Sequence, residues 1–463
     1  MTTLEETVGA RRYAVLAICC ASLLVSVMDI SIVNMALPAI RDDLGASTAG
    51  LQWTVDAYTL VLASFLLLAG STADRFGRKR MFRLGLIVFG LGSLLCSLAP
   101  GIEALVAARA VQAVGGTMLN PVAMAIVVTV FPDRAERARA IGIFGATAGL
   151  SLVLGPILGG ALVDGLGWRS VFWVNLPIVA LAVLFTSLYV PESRAARGRR
   201  FDPVGQLLVV LLLGSVVSAI IEKNALRTPL IVTAVVAAVL LIAYERRREE
   251  PLLELRLFRS IPFSSAVVIA MVAYTGFGAF LFVTTLYLQS IRDLSALDAG
   301  LCLLPVGLLI TVLSPLTGRV VGARGPRLPL VVAGTALTLG AFASLGIGPA
   351  TPLPVVLGIF LLFGVFLGTI NPPIANAAVS GMPGSMAGLA GSLASVGRQT
   401  GTSLGVAVAG SIIGSATTDP ERFVRAEHVV WWPTVAVGLV VLALALFSTS
   451  RRAHRTVQVA RSA

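Results

Sequence analysis

The chain has 463 residues, of which 57% are apolar and 13% are charged. Soluble proteins carry about 25% charged residues, so this chain lacks the polar surface that soluble domains of this total length would need. The net charge of +12 does not indicate nucleic-acid binding, because the basic residues form short clusters between apolar runs. They do not form a basic face interleaved with aromatic residues. The composition predicts an all-α polytopic membrane protein.

Fourteen apolar runs are long enough to cross about 30 Å of hydrocarbon as helices. The first follows Arg11 and Arg12, and its length of about 26 residues exceeds the core of a cleaved signal peptide, so we expect it to be retained. The predicted helices are 13–39, 51–70, 81–100, 103–131, 139–164, 171–190, 203–221, 228–244, 262–290, 296–318, 328–348, 354–379, 388–415 and 431–448. An even number of spans places both termini on one side of the membrane.

The distribution of Lys and Arg predicts the orientation, because cytoplasmic loops carry an excess of these residues. With a cytoplasmic N-terminus, about 26 of the 35 Lys and Arg lie on the cytoplasmic side and about seven on the other. Only Arg109 and Arg398 lie well inside predicted spans. Both termini are therefore predicted to be cytoplasmic.

Motifs of soluble enzymes are missing from the sequence, which has no HExxH, GxxxxGK or GxGxxG pattern and whose match to GxSxG, 401–405, lies inside a predicted span and not at a strand-to-helix turn. The two histidines, His428 and His454, lie outside the predicted spans, and the four cysteines lie inside apolar runs, which favours packing over a disulfide or metal site. We expect no enzymatic activity, no metal, no cofactor, no ATP and no nucleic-acid partner.

A weak internal repeat divides the chain. The segment 70–80 joins the second and third predicted helices, and 318–327 occupies the equivalent place later in the chain, again with two glycines seven residues apart and basic residues following. We predict a six-helix half in 1–200, an inserted helix pair in 201–250, and a second six-helix half with a short basic tail in 251–463. Parallel repeats of this kind are a transporter architecture.

Six segments resemble sequences of the major facilitator superfamily, and more narrowly of its fourteen-helix drug:proton antiporter family; two of them are 168–177 and 398–401. The other four are similar to signature patterns. They are 28–40, similar to LDxTVVNVALPxI; 70–80, similar to GxLADRxGRKR; 109–115, similar to RxxQGxG; and 151–160, similar to GxxxGPxxGG. The chain departs from these patterns at Ser31, Thr72, Ala113 and Ser151. The resemblance implies two six-helix bundles, two inserted helices and export of amphipathic compounds or antibiotics.

Asp29 lies within the hydrocarbon part of the first predicted helix. A charge there costs about 2.5–3.5 kcal/mol, so such residues usually face a cavity and carry function. Burial disfavours a carboxylate and a neighbouring cation favours it, so a carboxyl group under both influences can gain and lose protons. We predict that Asp29 couples transport to protons; a structural ion pair with Arg109, or a helix cap near Pro38, is the alternative.

The resemblance implies that Arg109 is a fixed cation that tunes Asp29 or holds a proton relay together. The alternative is a guanidinium that binds helix carbonyls and locks packing. Asp56 is a weaker candidate for a second proton-coupling carboxyl group on the cavity, and it could instead be solvated at the outer interface.

The segment between the second and third predicted helices is expected to control gating. The resemblance implies that it latches the two halves in the outward-facing state and releases them on inward opening. The alternative is that its basic residues only set the topology. The candidate gating residues are Gly70, Asp74, Arg75, Gly77 and Arg78.

The fifth predicted helix contains Gly155, Pro156, Gly159 and Gly160. Pro156 removes a helix hydrogen bond in mid-span, and the glycines permit close helix contact. The resemblance links this segment to drug/proton exchange through a seal between the halves. A packing helix without any coupling role is the alternative.

The candidate substrate-cavity residues are Asn34, Tyr58, Gln112 and Arg398. We expect a monomer in the bacterial cytoplasmic membrane that exchanges an amphipathic small molecule for protons, with the proton gradient as its energy source. Proton-coupled uptake of a small metabolite or sugar is the alternative function.

Overall fold

The structure is a computed structural model, and it describes residues 2–194, 202–222, 224–248, 252, 254–380, 387–414, 416 and 419–448. Within these ranges the regular structure is entirely helical. The basic tail and the boundaries predicted near residues 200 and 250 fall outside the described residues.

Sixteen α-helices form fourteen long segments in the described chain. The N-terminal helices are α1 (Thr2–Leu44), α2 (Thr48–Phe76), α3 (Arg78–Ser97), α4 (Ile102–Val130), α5 (Arg134–Leu166), α6 (Ser170–Trp173) and α7 (Asn175–Tyr189). Two further helices follow, α8 (Pro203–Ile221) and α9 (Arg227–Glu245). The C-terminal helices are α10 (Ile261–Leu286), α11 (Ala296–Cys302), α12 (Leu304–Arg324), α13 (Arg327–Ser344), α14 (Leu353–Val379), α15 (Ala387–Ile413) and α16 (Pro420–Ser448). The pairs α6–α7 and α11–α12 each form one span, and a π-helical turn, Tyr287–Ile291, continues α10.

Thirteen of the described segments are long and apolar enough to cross a membrane. The remaining predicted span is α15, which has 27 residues but is rich in Gly, Ser and Thr and contains Arg398 and Gln399. The prediction of an all-α protein with many membrane spans is confirmed.

Several predicted helix ends were wrong, and two of the differences change where candidate residues lie. Helix α16 begins at Pro420, eleven residues before the predicted Trp431, so His428 lies within this helix and not outside the span. Helix α2 continues to Phe76, so Gly70, Asp74 and Arg75 are helical and only Gly77, with φ of 110°, separates α2 from α3. Apolar runs mark the part of a helix in hydrocarbon, whereas these helices continue through charged turns at its edge.

Close backbone contacts hold the helices of each group together. Helix α3 packs on α4 where Gly92 faces the backbone of Gln112 and Gly115 faces the backbone of Phe89. Helix α15 packs on α10, and a Cβ atom on any of three glycines at four-residue intervals would meet an α10 carbonyl oxygen; the glycines are Gly397, Gly401 and Gly405. Small residues in membrane helices allow this approach because no side chain separates the backbones.

The N-terminal and C-terminal helices meet along three seams, α1 with α10, α2 with α15, and α5 with α11 and α12. We call the end of the molecule where α1 ends and α2 begins the closed end. The hydrogen bonds between described residues of the two groups lie toward it: Gln289 Nε2 donates to Met35 O (3.1 Å), Gln52 Nε2 to Ala407 O (2.7 Å), and Leu297 N to the Asp164 carboxylate (2.9 Å). Helices α8 and α9 pair with each other, and α8 also packs on α2 and α15.

Candidate functional site

Asp29 lies at the centre of a polar network inside the N-terminal helices. Its carboxylate forms an ion pair with Arg109 of α4 and accepts hydrogen bonds from Gln112 Nε2 (2.7 Å) and Asn175 Nδ2 (3.1 Å). The amides of Gln112 and Asn175 also donate to Ser93 Oγ of α3, at 2.8 and 2.9 Å. Helices α3, α4 and α7 therefore supply the partners that surround one carboxylate in α1.

The Arg109 guanidinium is also fully engaged. Its Nε donates to Thr54 O of α2 (3.1 Å), and its Cζ lies 4.3 Å from the ring centre of Tyr58, which adds a cation–π contact. Phe172 contributes a second ring at 5.8 Å. The guanidinium thus bonds to both a carboxylate and a backbone carbonyl, a geometry that is compatible with either of the two roles left open by the sequence.

Local packing explains why these groups meet. Gly92 lets the backbone of α4 approach α3 at Gln112. Ser93, which follows Gly92 in α3, therefore comes within hydrogen-bonding distance of the Gln112 amide. Asp29 and Gln112 are 0% exposed, and Arg109 is 1% exposed. A buried ion pair of this kind is stable only while both charges keep their partners, since removal of one partner leaves an uncompensated charge at a cost of about 3–5 kcal/mol.

Asp56 lies in the seam between α2 and α15 and is completely buried, so the solvated alternative does not hold in this conformation. Its polar neighbours are the hydroxyl groups of Thr59 and Ser403. Neither of its carboxyl oxygens accepts a hydrogen bond of good geometry, and no cation in the described ranges pairs with it. Its surroundings differ from those of Asp29 in lacking a compensating charge.

The candidate gating residues surround the junction of α2 and α3. Asp74 Oδ1 accepts from Arg78 Nε (3.1 Å) and Nη2 (2.9 Å), and Arg78 Nη1 donates to Thr129 Oγ1 of α4 (2.7 Å). Gly77 faces the carboxylate of Glu192. Each of these contacts lies within the N-terminal part of the chain.

The other two candidate gating residues make fewer contacts. Arg75 lies over the ring of Phe76 at 5.5 Å, and Gly70 faces open space. The latch between halves predicted for this segment is therefore not engaged by the described contacts of this conformation.

The glycine motif of α5 faces two partners. A Cβ atom at Gly155 would meet Ser31 of α1, and one at Gly159 would meet Ile32 of α1. On another face, Gly160 approaches the carbonyl group of Ala296 in α11, and Gly300 of α11 in turn approaches the carbonyl group of Pro156. The motif thus fits α5 between a helix of its own group and a helix of the C-terminal group.

An apolar cleft with a cavity volume of about 30 Å³ lies between α1, α5, α10, α12 and α14. Its walls include Ser31 and Pro156 on the N-terminal side and Phe277, Phe280 and Leu367 on the C-terminal side. This volume is far below the range of about 300–1,000 Å³ that is typical of small-molecule sites, so the cleft must widen before it can hold a drug-sized molecule.

None of the four candidate substrate residues lines this cleft. Tyr58 and Gln112 belong to the Asp29 network, and Asn34 donates to the carbonyl oxygen of its own helix at Ile30 (2.8 Å). Arg398 donates to Ser395 Oγ (2.6 Å) and lies near Tyr274, which bonds to Asn371. These last residues form a second polar group, within the C-terminal helices.

Sequence reasoning missed three residues that the structure brings into polar sites. Asn175 and Ser93 complete the Asp29 network, and Glu427 of α16 is a buried carboxyl group near the closed end. Neutral polar residues in apolar helices give only a weak signal, and Glu427 was excluded because the start of α16 was placed after it.

Comparisons with known proteins agree with this architecture. Residues 19–406 match the family described as Major Facilitator Superfamily. The multidrug resistance protein Stp of Mycobacterium tuberculosis is 37% identical over 85% of this chain and 75% of its own length, and the puromycin resistance protein pur8 of Streptomyces alboniger is 36% identical over 88% and 83%. The crystal structure of a D-xylose–proton symporter shares the fold, with a TM-score of 0.69, 14% identity and coverage of 95% of this chain and 97% of that one. The chain belongs to the Major Facilitator Superfamily.

Proposed function

We propose that this protein is a proton-coupled exporter of amphipathic small molecules, including antibiotics, in the cytoplasmic membrane of a bacterium. The names of its relatives, a multidrug resistance protein and a puromycin resistance protein, support the drug class. The observation that carries the proton coupling is the buried Asp29–Arg109 pair, held inside the N-terminal helices beside an apolar cleft.

The proton acts at the Asp29 carboxylate. When a proton binds, the carboxyl group loses its charge, and Arg109 is left without its counter-ion while it remains bonded to Thr54 O and Gln112 Oε1. An uncompensated buried guanidinium is costly, so the helices around it rearrange toward a conformation that compensates the charge. The Asp29 network thereby makes the conformational equilibrium depend on one proton.

The substrate occupies the apolar cleft once the helices around it have moved apart. Ser31, two residues after Asp29, and Pro156 of the α5 glycine motif both line this cleft, so a ligand there touches the helix that holds the proton-binding carboxyl group. Its phenylalanine and leucine side chains suit the apolar part of an amphipathic molecule. Substrate and proton are thus bound close enough to α1 for each to disfavour the other.

Alternating access would proceed by opening the seams at the closed end. With the cytoplasmic termini predicted from the Lys and Arg distribution, the closed end faces outward and the junction of α2 and α3 faces the cytoplasm. The structure would then correspond to a state that is sealed to the outside, with the Asp74–Arg78 segment released from the C-terminal helices. Inward proton movement at 100 mV supplies about 2.3 kcal/mol per charge, so neither ATP nor a cofactor is required.

Efflux in cells that lack other pumps tests this function. We expect the wild type to lower the accumulation of puromycin or a dye, a protonophore to abolish the effect, and Asp29→Asn to abolish proton-driven efflux while the variant still binds substrate. Asp42→Asn is a matched control, since it makes the same change on the same helix at an exposed position. Wild-type efflux by Asp29→Asn, or uptake of the compound in place of export, would contradict the proposal.

A further inference from the structure

Glu427 is a buried carboxyl group without a compensating charge. Its side chain lies in the second turn of α16, near the closed end, and the residue is 2% exposed. Trp431 Nε1 donates a hydrogen bond to Oε1 (3.0 Å), whereas Oε2 has no hydrogen-bond partner. No ion pair joins Glu427 to any cation of the described chain, in contrast to Asp29.

One titratable group on the neighbouring π-helical turn lies close to Glu427, a charged group just after that turn bonds to it, and one further group lies beside Glu427 on α16. Tyr287, from the turn that continues α10, is its electrostatic neighbour, and Arg292 donates to Tyr287 Oη at 3.2 Å. On α16 itself, His428 Nε2 lies 3.2 Å from Ile347 O. None of these groups forms an ion pair with the Glu427 carboxylate.

The remaining charged groups on α16 and on the helices packed against it are more remote. Arg425 faces solvent in a pair with Glu421. Helix α13 has its one charged residue, Arg327, at its far end; α10 and α14 have none; and α15 has Arg398 in mid-helix, near Tyr274 of α10. No cation on these elements compensates the Glu427 carboxylate.

This environment favours a protonated carboxyl group. Burial of a carboxylate that has one hydrogen-bond donor and no cation is costly, whereas the neutral acid is tolerated because Oε2 no longer carries charge. The group therefore holds its proton for as long as the helices packed against α16 keep it buried.

Glu427 is also connected to the seal and to the cleft. The π-helical turn that contains Tyr287 contains Gln289, whose amide bonds to Met35 O of α1 across the seam. π-Helical turns are frequent at functional positions. On the other side, Trp431 packs on Phe363 (5.7 Å between ring centres), and Phe363 stacks on Phe280 (4.1 Å), which lines the cleft.

We propose that Glu427 is a second proton-binding site, separate from Asp29, which holds a proton while the closed end is sealed and releases it to water when that end opens. The reaction is a simple acid dissociation: the O–H bond of the carboxylic acid breaks, the proton passes to water at the closed end, and the carboxylate is then hydrated. Acid on that side of the membrane therefore favours the sealed conformation.

The test measures the conformation of purified protein against pH, without substrate. Spin labels on Asp42→Cys and Ala350→Cys, both exposed at the closed end, report its opening in a background that lacks the four native cysteines. The sealed form binds one proton more than the open form. Each rise of one pH unit therefore increases the ratio of open to sealed protein by up to about tenfold through this group.

Glu427→Gln should lose the pH dependence that Glu427 contributes, and its closed end should stay sealed at higher pH. The amide oxygen still accepts the hydrogen bond from Trp431, but the amide has no proton to release. Glu421→Gln, with the same change at an exposed position on the same helix, should behave as the wild type. An unchanged pH slope in Glu427→Gln overturns the proposal.

A second measurement covers the case in which Glu427→Gln fails to fold. The variant Asp56→Asn keeps Glu427 and leaves the Asp29–Arg109 ion pair intact. Its infrared spectrum should still contain a protonated-carboxyl band that disappears as the closed end opens; buried Asp202 and Glu245 lie at the opposite end and do not respond to this opening. Absence of that band overturns the assignment. Because neither measurement involves transport, failure of Glu427 and failure of the export function are distinguishable.

Discussion

Three of the buried carboxyl groups of this protein, Asp29, Asp56 and Glu427, differ in how their charge is compensated. Asp29 has Arg109 and two amide donors, whereas Asp56 and Glu427 have no cation in the described chain. Protonation of Asp29 therefore creates an unpaired charge, and protonation of the other two removes one. The three groups consequently respond to acid in opposite senses, and only Asp29 destabilises its surroundings by becoming neutral.

Arg109→Lys tests whether the shape of the cation matters, and not only its charge. The planar guanidinium of Arg109 bonds to Asp29, Gln112 and Thr54 O at once, whereas the compact ammonium group of a lysine cannot reach all three. Loss of one charge-assisted hydrogen bond costs about 1.5–3 kcal/mol, so we expect proton-driven efflux to fall by about tenfold or more. The rate in proteoliposomes with an imposed pH gradient measures this, and an unchanged rate would show that charge alone suffices.

The charged members of the site were predictable from the sequence, and their partners were not. Asp29 and Arg109 are conspicuous because a charge in an apolar run is rare. Ser93 and Asn175 come from helices whose relative rotation depends on packing at positions such as Gly92, so no local pattern marks them. Glu427 was overlooked because its charged turn interrupts the apolar signal of α16.

Helix α5 has two packing faces, and each carries part of the glycine motif. Helix α1 packs against Gly155 and Gly159, while α11 packs against Gly160 across the boundary between the two groups of helices. The Asp164 carboxylate, one turn further, accepts the backbone N–H groups of Ala296 and Leu297 at the start of α11. An acidic group at a helix N-terminus stabilises it, so the motif and Asp164 fix the same contact.

Gly160→Val should weaken the seal without disturbing α5 itself. The carbonyl oxygen of Ala296 lies where the new Cβ atom must go, so α11 is forced away from α5. We expect faster passive proton leak into vesicles and greater labelling of cysteines placed at the closed end. Gly165→Val is the matched control, since it is on the same helix and faces open space; an equal leak in both variants would mean that the effect does not arise at the α5–α11 contact.

Hydropathy predicted the helices well and their ends less well. The bounds of α8 were predicted to the residue, because Pro203 at its start and the polar residues after Ile221 delimit one apolar run. The breaks between α6 and α7 and between α11 and α12 were not predicted, since they interrupt hydrogen bonding within continuous apolar sequence. The division into two six-span groups around α8 and α9 stays a prediction.

For the molecule as a whole, the three seams at the closed end must separate together if both faces are to receive substrate. The α2–α15 seam offers a place to prevent this, because a Cβ atom at Gly410 would contact the Gln52 side chain. A disulfide requires Cβ atoms about 3.5–4.5 Å apart. Which end is sealed was not predictable from the sequence, since both conformations use the same apolar helices.

Gln52→Cys with Gly410→Cys should lock the closed end on oxidation. We expect transport to stop and to recover with a reductant, while substrate binding from the opposite end persists. Each single-cysteine variant is the control, in the background that lacks Cys19, Cys20, Cys96 and Cys302. Continued transport by the cross-linked protein would show that these seams do not need to open.

The glycine ladder of α15 also bears on biosynthesis. A segment in which Gly397, Gly401 and Gly405 replace bulky apolar side chains, and which also contains Arg398, has little affinity of its own for lipid. It leaves the ribosome after α10, whose carbonyl groups it is shaped to meet. Insertion of α15 by the translocon therefore depends on α10 being already in place. Substitutions that disrupt the α10 surface facing α15 would leave α15 and α16 uninserted during synthesis.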